Sequence, residues 1–345
     1  MKIMHDIPLG QYSTMRLGGV ASSLVSVSTN EDLVKAVQYA EDNKLEIIMV
    51  GAGSNIVWRD EGFRGLVVVN RFPGYEVKTK SDFTYTVRVG SGEPWDTVVK
   101  QTVDDGASGL EALSLIPGTT GATPIQNVGA YGQDVSKVIE SVEVYDIVNK
   151  KFKTLDNKQC GFGYRKSIFN TSEKGKYFIL AVIFKLNRSS MKPPFYDSLQ
   201  QYLTDNQITD FSPKSIRQAV INIRSAILPD PQKVANCGSF FANPIVDEQT
   251  LNRILKSYPN LQYWRINNST YKLAAGWLCE QAQLKGYSDS KTGMSTWRNH
   301  ALVLVNETAK HTSDLLAFKQ KIIKIVQDKY GVTLLQEPEL LPIVH

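Results

Sequence analysis

The sequence is poor in cysteine and histidine, the residues from which disulfide frameworks and most zinc sites are built. Its 345 residues include three cysteines and four histidines. The cysteines, Cys160, Cys237 and Cys279, lie far apart, and no CxxC or HExxH spacing occurs. Disulfide-rich domains and zinc sites need closer spacings. We therefore expect free thiols, a reducing compartment and no metal site.

A strong excess of either charge is also missing. The 39 lysines and arginines exceed the 34 aspartates and glutamates by five. An excess this small and scattered argues against nucleic acid binding and fits an enzyme that binds a modestly anionic small molecule. A hydrophobic fraction of 42% with 21% charged residues excludes disordered and collagenous chains. The length suggests about two domains.

Long apolar runs of the kind that cross membranes are absent. The first residues lack the apolar core of a signal peptide, so we expect a cytoplasmic protein with no membrane partner. The longest stretch without charge, residues 112–133, has the length of a membrane span. Its prolines, glycines, threonines and amides would be costly in lipid, so this stretch is predicted to be a loop rather than a spanning helix.

Apolar periodicity, capping residues and glycine stops predict a mixed α/β or α+β chain without internal repeats. The predicted helices are 29–43, 94–105, 213–226, 247–258, 272–284 and 312–330, the last ended by Gly331. The predicted strands are 46–50, 65–70, 84–90, 138–148, 177–186, 301–306 and 332–336.

Two glycine-rich segments are the first candidates for a ligand site. Gly51-Ala-Gly-Ser-Asn55 follows a predicted strand, but the third glycine of a dinucleotide fingerprint is replaced by Ile56. This segment is either a tight turn or a turn whose backbone N–H groups bind phosphate. Residues 116–132 form either a buried structural loop or a backbone surface packed against a planar or polyanionic ligand. Together, the two segments raise the hypothesis of a bound nucleotide cofactor.

Three polar residues need interpretation, and two of them have two interpretations each. Arg165 lies among glycines and aromatic residues, where it either grips a carboxylate or stacks on Tyr164. Ser239 is either a turn serine or a catalytic group, while neighbouring Cys237 is best explained as a small buried side chain. Glu339 would ordinarily be a solvated residue near the chain end.

Taken together, eight segments resemble the UDP-N-acetylenolpyruvoylglucosamine reductase (MurB) family of peptidoglycan synthesis. They occur in the family's order between about Thr14 and Glu339, nearly the whole chain: 51–55, 116–132, 163–169, 228–231, 238–241, 272–278, 283–286 and 337–339. Residues 191–203, which include Tyr196, resemble the substrate-covering loop of the family's first structural type.

The resemblance implies an α+β fold with a vanillyl-alcohol-oxidase/PCMH-like two-part FAD-binding region, followed by a smaller α+β substrate-binding domain. The expected parts are FAD subdomains 1–70 and 71–212, a substrate domain 213–331 and a tail 332–345 returning to the active site. The implied activity is NADPH-dependent, FAD-mediated reduction of UDP-N-acetylglucosamine enolpyruvate to UDP-N-acetylmuramate by a monomer. Hydride passes from flavin N5 to the vinyl carbon, and a serine protonates the resulting enolate.

The resemblance also assigns roles to individual residues. The catalytic group is Arg165, Ser239 and Glu339, with Ser239 as the proton donor. The substrate contacts are Tyr196, Arg224, Asn243 and His300. The FAD contacts are Gly51, Ala52, Gly53, Ser54, Asn55, Pro117, Gly118, Thr119, Thr120, Gly121, Gln126, Asn127, Gly129 and Ala130.

The chain departs from the family pattern at two usual lysines and in its tail. Ile227 and Ala242 stand at the lysine positions, and Leu340-Leu341 replaces the usual Val-Arg after Glu339. Two alternatives stay open, and these departures motivate the second of them. One is another FAD-dependent oxidoreductase of the same fold, although no histidine or cysteine that would attach flavin lies between Gly51 and Gly65. The other is a catalytically weakened homologue that binds nucleotide sugars.

Overall fold

Helices and strands alternate along the chain. A computed structural model describes residues 1–343. Residues 344 and 345, the end of the predicted tail 332–345, lie outside the described residues. Within the described part there are seven α-helices: α1 Asn30–Asp42, α2 Trp95–Asp104, α3 Asp197–Asp205, α4 Pro213–Ile227, α5 Glu248–Ser257, α6 Ala275–Gln281 and α7 Thr312–Tyr330.

Twenty strands lie in residues 1–343. They are β1 Met4–Pro8, β2 Val20–Val27, β3 Glu46–Val50, β4 Ile56–Trp58, β5 Phe63–Asn70, β6 Tyr75–Lys80, β7 Thr84–Gly90, β8 Gly129–Ala130, β9 Gln133–Asp134, β10 Ile139–Asp146, β11 Lys151–Asp156, β12 Tyr177–Asn187, β13 Ala235–Ser239, β14 Ile245–Asp247, β15 Tyr263–Arg265, β16 Thr270–Leu273, β17 Ser288–Asp289, β18 Met294–Trp297, β19 His300–Asn306 and β20 Glu339–Leu341.

The chain divides into two compact units. The first comprises 1–7, 21–52 and 64–225, and the second comprises 8–20, 53–63 and 226–345. This division by spatial contacts assigns no ligand to either unit. The four functional parts expected from the sequence therefore stay a prediction.

The first unit contains two larger sheets, the short strand pair β8-β9 and four helices. Strands in the order β1-β2-β5-β3 form one sheet, in which β3 and β5 are parallel, and the antiparallel order β11-β10-β12-β7-β6 forms the other. Helix α1 buries Leu33, Ala36 and Val37 against the first sheet, and α2 buries its apolar face against the second. Helices α3 and α4 share a small core of their own. The burial of these apolar faces explains the helical periodicity of the sequence.

The second unit is built on the sheet β13-β19-β18-β17, with a smaller sheet β14-β16-β15 and the parallel pair β20-β4. Helices α5, α6 and α7 contribute to one hydrophobic core with these strands. Gly331 ends α7 in the left-handed conformation at φ 67°, as predicted, because glycine carries no Cβ that would clash there.

Two predicted elements are wrong. The helix predicted to start at 272 begins only at Ala275, because Tyr271 and Leu273 point to the core as alternate residues of strand β16. The strand predicted at 332–336 is absent. Val332 and Leu334 are buried, but the only pairing described for this segment is an isolated bridge from Gln336 to Phe241. The strand near this end of the chain is β20, which begins three residues later at Glu339.

Several elements have no counterpart among the predictions. Helix α3 is one of them, and its apolar stripe is limited to Leu199 and Leu203. The short strands β13 to β18 are others, since strands of two to five residues carry too little alternation to be recognised.

Candidate active site

The uncharged loop, residues 112–133 of the first unit, is fixed to the start of helix α2. The backbone N–H of Thr120 donates to the Glu93 carbonyl over 2.9 Å, and the N–H of Trp95 donates to the Gly118 carbonyl over 3.1 Å. Most of residues 112–128 are buried or half-buried. The loop is therefore a defined part of the fold.

The predicted cofactor segments leave no room for side chains at two glycines. In the first unit, a Cβ added to Gly51 would lie 2.5 Å from the Thr119 Oγ1. In the second unit, Gly53 has φ +69°, and an added Cβ would lie 2.1 Å from the Tyr12 carbonyl oxygen. Backbone without side chains is what close approach of a nucleotide phosphate or a flat ring requires. The residues present therefore fit a dinucleotide cofactor.

Left-handed backbone conformations concentrate around this loop. Among the non-glycine residues of the described chain with positive φ are Leu115 at 56°, Asn127 at 48°, Tyr131 at 48° and Arg165 at 54°. Each costs about 1–2 kcal/mol and persists only where its surroundings fix it. Such strain is typical of ligand-binding sites.

The Arg165 segment is tied to the uncharged loop by three hydrogen bonds. Asn127 donates to the Gly163 carbonyl over 3.0 Å, Arg165 to the Gly129 carbonyl over 3.2 Å, and Ser167 to the Ile125 carbonyl over 2.6 Å. The Arg165 guanidinium also lies 5.5 Å from the centroid of the Tyr164 ring. Stacking on Tyr164 therefore occurs, and at the same time Arg165 is bonded to the predicted FAD residue Gly129, while Asn127, another predicted FAD residue, holds the neighbouring Gly163.

Arg224 and Tyr196, both predicted to contact substrate, share a neighbour in the first unit. The Tyr131 ring lies edge-on to Tyr196 with 6.1 Å between centroids, and the Tyr131 hydroxyl interacts electrostatically with Arg224. Arg224 donates from Nη2 to the Leu115 carbonyl over 3.3 Å, while its buried Nε has no hydrogen-bond partner among the described residues. Burial lowers the pKa of Arg224 and raises that of Tyr131. A buried cationic N–H of this kind is suited to an oxyanion ligand.

Tyr131 was missed by the sequence reasoning. Its only signal is its place between Ala130 and Gly132 in the uncharged loop, where it looks like one more loop residue.

In the second unit, backbone hydrogen bonds join the segments that contain Ser239 and Glu339. The Glu337 N–H donates to the Phe240 carbonyl and the Ala242 N–H to the Leu335 carbonyl, each over 2.9 Å. These bonds flank the isolated antiparallel bridge between Phe241 and Gln336, and Ser239 and Glu339 lie just beyond the same end of this pairing. The Glu339 N–H donates to the Asn55 carbonyl over 2.9 Å. One predicted FAD residue and two predicted catalytic residues are thus on adjoining segments.

Asn243 and His300 meet at the first residues of helix α6. The Asn243 side-chain oxygen accepts from the Ala275 N–H over 3.0 Å. A Cβ added to Gly276 would lie 3.8 Å from the His300 Cε1. The two predicted substrate contacts are therefore neighbours in the second unit.

The three cysteines are buried free thiols. Burial raises the pKa of Cys160 and of Cys279 to about 12 and also raises that of Cys237. A reactive cysteine needs a lowered pKa, so the interpretation of Cys237 as a small buried side chain is confirmed. Among residues 1–343, no group of three or more His, Cys, Asp or Glu is placed to hold a metal ion. No helix in that range combines the length and apolarity needed to cross a membrane.

Comparison with known proteins defines first a flavin-binding class and then a family. Residues 21–151 match the model of an FAD binding domain, and residues 230–341 match the C-terminal domain of UDP-N-acetylenolpyruvoylglucosamine reductase. The reductase of Ralstonia nicotianae is 36% identical over 97% of this chain and 98% of its own length. The Escherichia coli reductase is 35% identical over 96% of this chain and 94% of its own length.

The chain therefore belongs to the UDP-N-acetylenolpyruvoylglucosamine reductase (MurB) family. The crystal structure of the Thermus caldophilus member covers 99% of this chain and 98% of its own at 23% identity with a TM-score of 0.67, which shows the same fold. The predicted α+β fold with its vanillyl-alcohol-oxidase/PCMH-like FAD-binding region, the FAD cofactor and the reductase class are confirmed. The residue roles, the cytoplasmic location and the monomeric state stay predictions.

Proposed function

We propose that this protein reduces the enolpyruvyl ether of UDP-N-acetylglucosamine to UDP-N-acetylmuramate, with NADPH as the electron donor. The observation that carries the proposal is the similarity to reductases of this name over 97% of the chain. Arg165, Ser239 and Glu339, the residues expected to act on substrate, are all present.

The residues expected to hold FAD are Gly51–Asn55 and the loop residues Pro117–Gly121, Gln126, Asn127, Gly129 and Ala130. The tight approach of Thr119 to Gly51 supports this assignment, because it leaves bare backbone for the cofactor. FAD when bound supplies a two-electron carrier that takes hydride from NADPH and gives it to the vinyl carbon of the substrate.

Ser239 is proposed to protonate the substrate at the carbon beside its carboxylate. Once the terminal vinyl carbon has gained hydride, the electron pair of the carbon–carbon double bond moves to that position and needs a proton. A serine hydroxyl is a poor acid in water, so Ser239 acts only where neighbouring groups support its conjugate base or relay a proton to it.

Arg165 and Glu339 are proposed to stabilise the enolate that precedes this protonation. The guanidinium of Arg165 supplies fixed positive charge, the kind of stabilisation that dominates many such barriers. A bare carboxylate at 339 would repel the enolate, so Glu339 acts in its protonated or hydrogen-bonded form.

The substrate contacts are proposed to be Tyr196, Arg224, Asn243 and His300. The buried Nε of Arg224 supports its assignment to the diphosphate or carboxylate. Ile227 and Ala242 remove two cations usual in the family, which weakens diphosphate or NADPH binding by about 1–3 kcal/mol for each direct contact. Lys233, which is exposed in the segment before β13, is proposed to compensate for one of them.

The same two replacements favour one alternative, a homologue that binds nucleotide sugars without turnover. A steady-state assay separates the two functions. The proposed reductase oxidises NADPH only when UDP-N-acetylglucosamine enolpyruvate is added and gives a product heavier by two hydrogens. Substrate binding without NADPH oxidation would support the non-catalytic homologue instead.

A further inference from the structure

Asp96 and Arg217, which are 121 residues apart in the sequence, form a bidentate ion pair in the first unit. Arg217 Nη1 lies 2.7 Å from Asp96 Oδ1, and Nη2 lies 2.9 Å from Oδ2. Arg217 is 9% exposed. Two parallel bonds of this type fix orientation as well as distance. The pair connects the first turn of α2 to α4.

The ion pair also bonds to the Ser114 side chain and to the Leu115 backbone. Asp96 Oδ1 accepts from the Leu115 N–H over 2.6 Å, and Arg217 Nη1 donates to the Ser114 hydroxyl over 2.8 Å. Leu115 has φ 56°, a conformation that a leucine adopts only when it is held there. Asp96 and Arg217 are the side chains that hold it.

Leu115 in turn receives Arg224. Its carbonyl accepts from Arg224 Nη2 over 3.3 Å. Arg217 and Arg224 are seven residues apart on α4 and so lie on one face of that helix. The contact with Leu115 directs the guanidinium whose buried Nε has no partner among the described residues.

We propose that Asp96 and Arg217 are positioning residues that lock the Leu115 turn and thereby orient Arg224 toward an oxyanion of the nucleotide-sugar substrate. This assignment rests on the proposed function, because it takes that substrate to be the ligand of Arg224. Neither Asp96 nor Arg217 touches the substrate in this account. A purely structural ion pair would instead affect folding and leave affinity unchanged.

The test measures substrate affinity in the FAD-loaded, oxidised protein by isothermal titration calorimetry with UDP-N-acetylglucosamine enolpyruvate. Asp96→Asn keeps the shape and one acceptor oxygen, and Arg217→Met keeps the aliphatic stem. Each is expected to raise Kd about 10-fold, the loss of one hydrogen bond to a charged group. Asp104→Asn, which breaks the exposed pair with Lys100 on the same helix, is the matched control and is expected to change Kd less than about 2-fold.

The decisive comparison combines Arg217→Met with Arg224→Met. If Arg217 acts through Arg224, the double variant binds no more weakly than Arg224→Met alone. Losses that multiply, or lower melting temperatures with unchanged Kd, would overturn the proposal. Arg217→Lys keeps the positive charge but cannot form the bidentate pair, so it is expected to give an intermediate Kd. This variant replaces Arg217→Met in the test if Arg217→Met does not fold. If the unaltered protein does not bind the substrate at all, the proposed function fails, and this assignment fails with it.

Discussion

At the scale of single residues, the buried Nε of the half-buried Arg224 is the feature that most directly indicates a ligand. Its guanidinium has the Leu115 carbonyl and the Tyr131 hydroxyl as neighbours, yet its Nε has no partner among the described residues. A buried N–H without a partner is costly. An anionic group of the substrate would remove that cost.

We predict that Arg224→Met weakens binding of UDP-N-acetylglucosamine enolpyruvate about 10- to 100-fold, the range for losing a hydrogen bond to a charged group. Calorimetric titration of the FAD-loaded protein measures this change. Arg64→Met, on the exposed side of β5, removes the same charge elsewhere and is expected to leave Kd unchanged. Equal effects of the two variants would contradict a specific role for Arg224.

At the same scale, the pKa of Asp96 predicts how stability depends on pH. Burial raises this pKa, but hydrogen bonds from Arg217 and the Leu115 N–H outweigh burial and hold it below the usual value for an aspartate. A carboxyl with a lower pKa in the folded state stabilises the fold above its unfolded pKa and loses that contribution as pH falls through the folded pKa.

Asp96→Asn should therefore lower the free energy of unfolding by about 1–3 kcal/mol at neutral pH and by less near pH 3. Urea unfolding of both proteins at the two pH values measures the difference. A penalty that stays constant or grows on acidification would show that the ionised carboxylate is not the stabilising form.

At the scale of elements, the uncharged loop is fixed by its neighbours. Its backbone bonds to residues 91–95, and its threonine at 119 fills the space beside Gly51. An ordered loop that carries no charge and many small side chains is suited to close packing against a flavin nucleotide.

Gly51→Ala tests this packing. The new methyl group would lie 2.5 Å from the Thr119 Oγ1, and such overpacking costs about 1–3 kcal/mol. We expect the purified variant to contain much less FAD by absorbance at the flavin bands. Gly51→Ala combined with Thr119→Ala removes the clashing oxygen and should recover part of the FAD content. Full FAD occupancy in the Gly51→Ala variant would contradict the proposed role of this packing in FAD binding.

At the scale of the whole molecule, the sequence predicted those elements that carry their own signals. Thr29 accepts from the Asp32 N–H at the start of α1, and Gly331 ends α7, so both helices were predicted close to their true bounds. Strand β16 was taken for a helix start because four residues are too few to show their alternation. The contacts of Arg217 with Asp96 and of Tyr131 with Arg224 join distant segments, and no local pattern in one sequence reveals them.

The site residues also divide into those with a local signal in the sequence and those without one. The glycine segments and Arg165 stood out from composition alone, whereas Ser239 and Glu339 gained roles through the resemblance. In the second unit, their segments are joined by pairing between residues 240–242 and 335–337. The predicted strand at 332–336 named no pairing partner, so the sequence did not predict this pairing.

The central claim is that electrons pass from NADPH to the enolpyruvyl substrate and that Ser239 supplies the proton in the second half of this reaction. Removing the Ser239 hydroxyl should therefore spare the first half-reaction and block the second. Ser288→Ala, at an exposed position in β17, is the matched control and should behave like the unaltered protein in both.

The most direct measurement is the flavin absorbance of the anaerobic protein, followed first with NADPH and then with UDP-N-acetylglucosamine enolpyruvate. We expect NADPH to bleach the flavin of the unaltered protein and of Ser239→Ala alike. Substrate then restores the colour of the unaltered protein, and restoration in Ser239→Ala is slower by about 100-fold or more, the contribution of a positioned proton donor. A reduced flavin that the substrate leaves bleached in the unaltered protein, or equal loss of both steps in Ser239→Ala, would contradict the account.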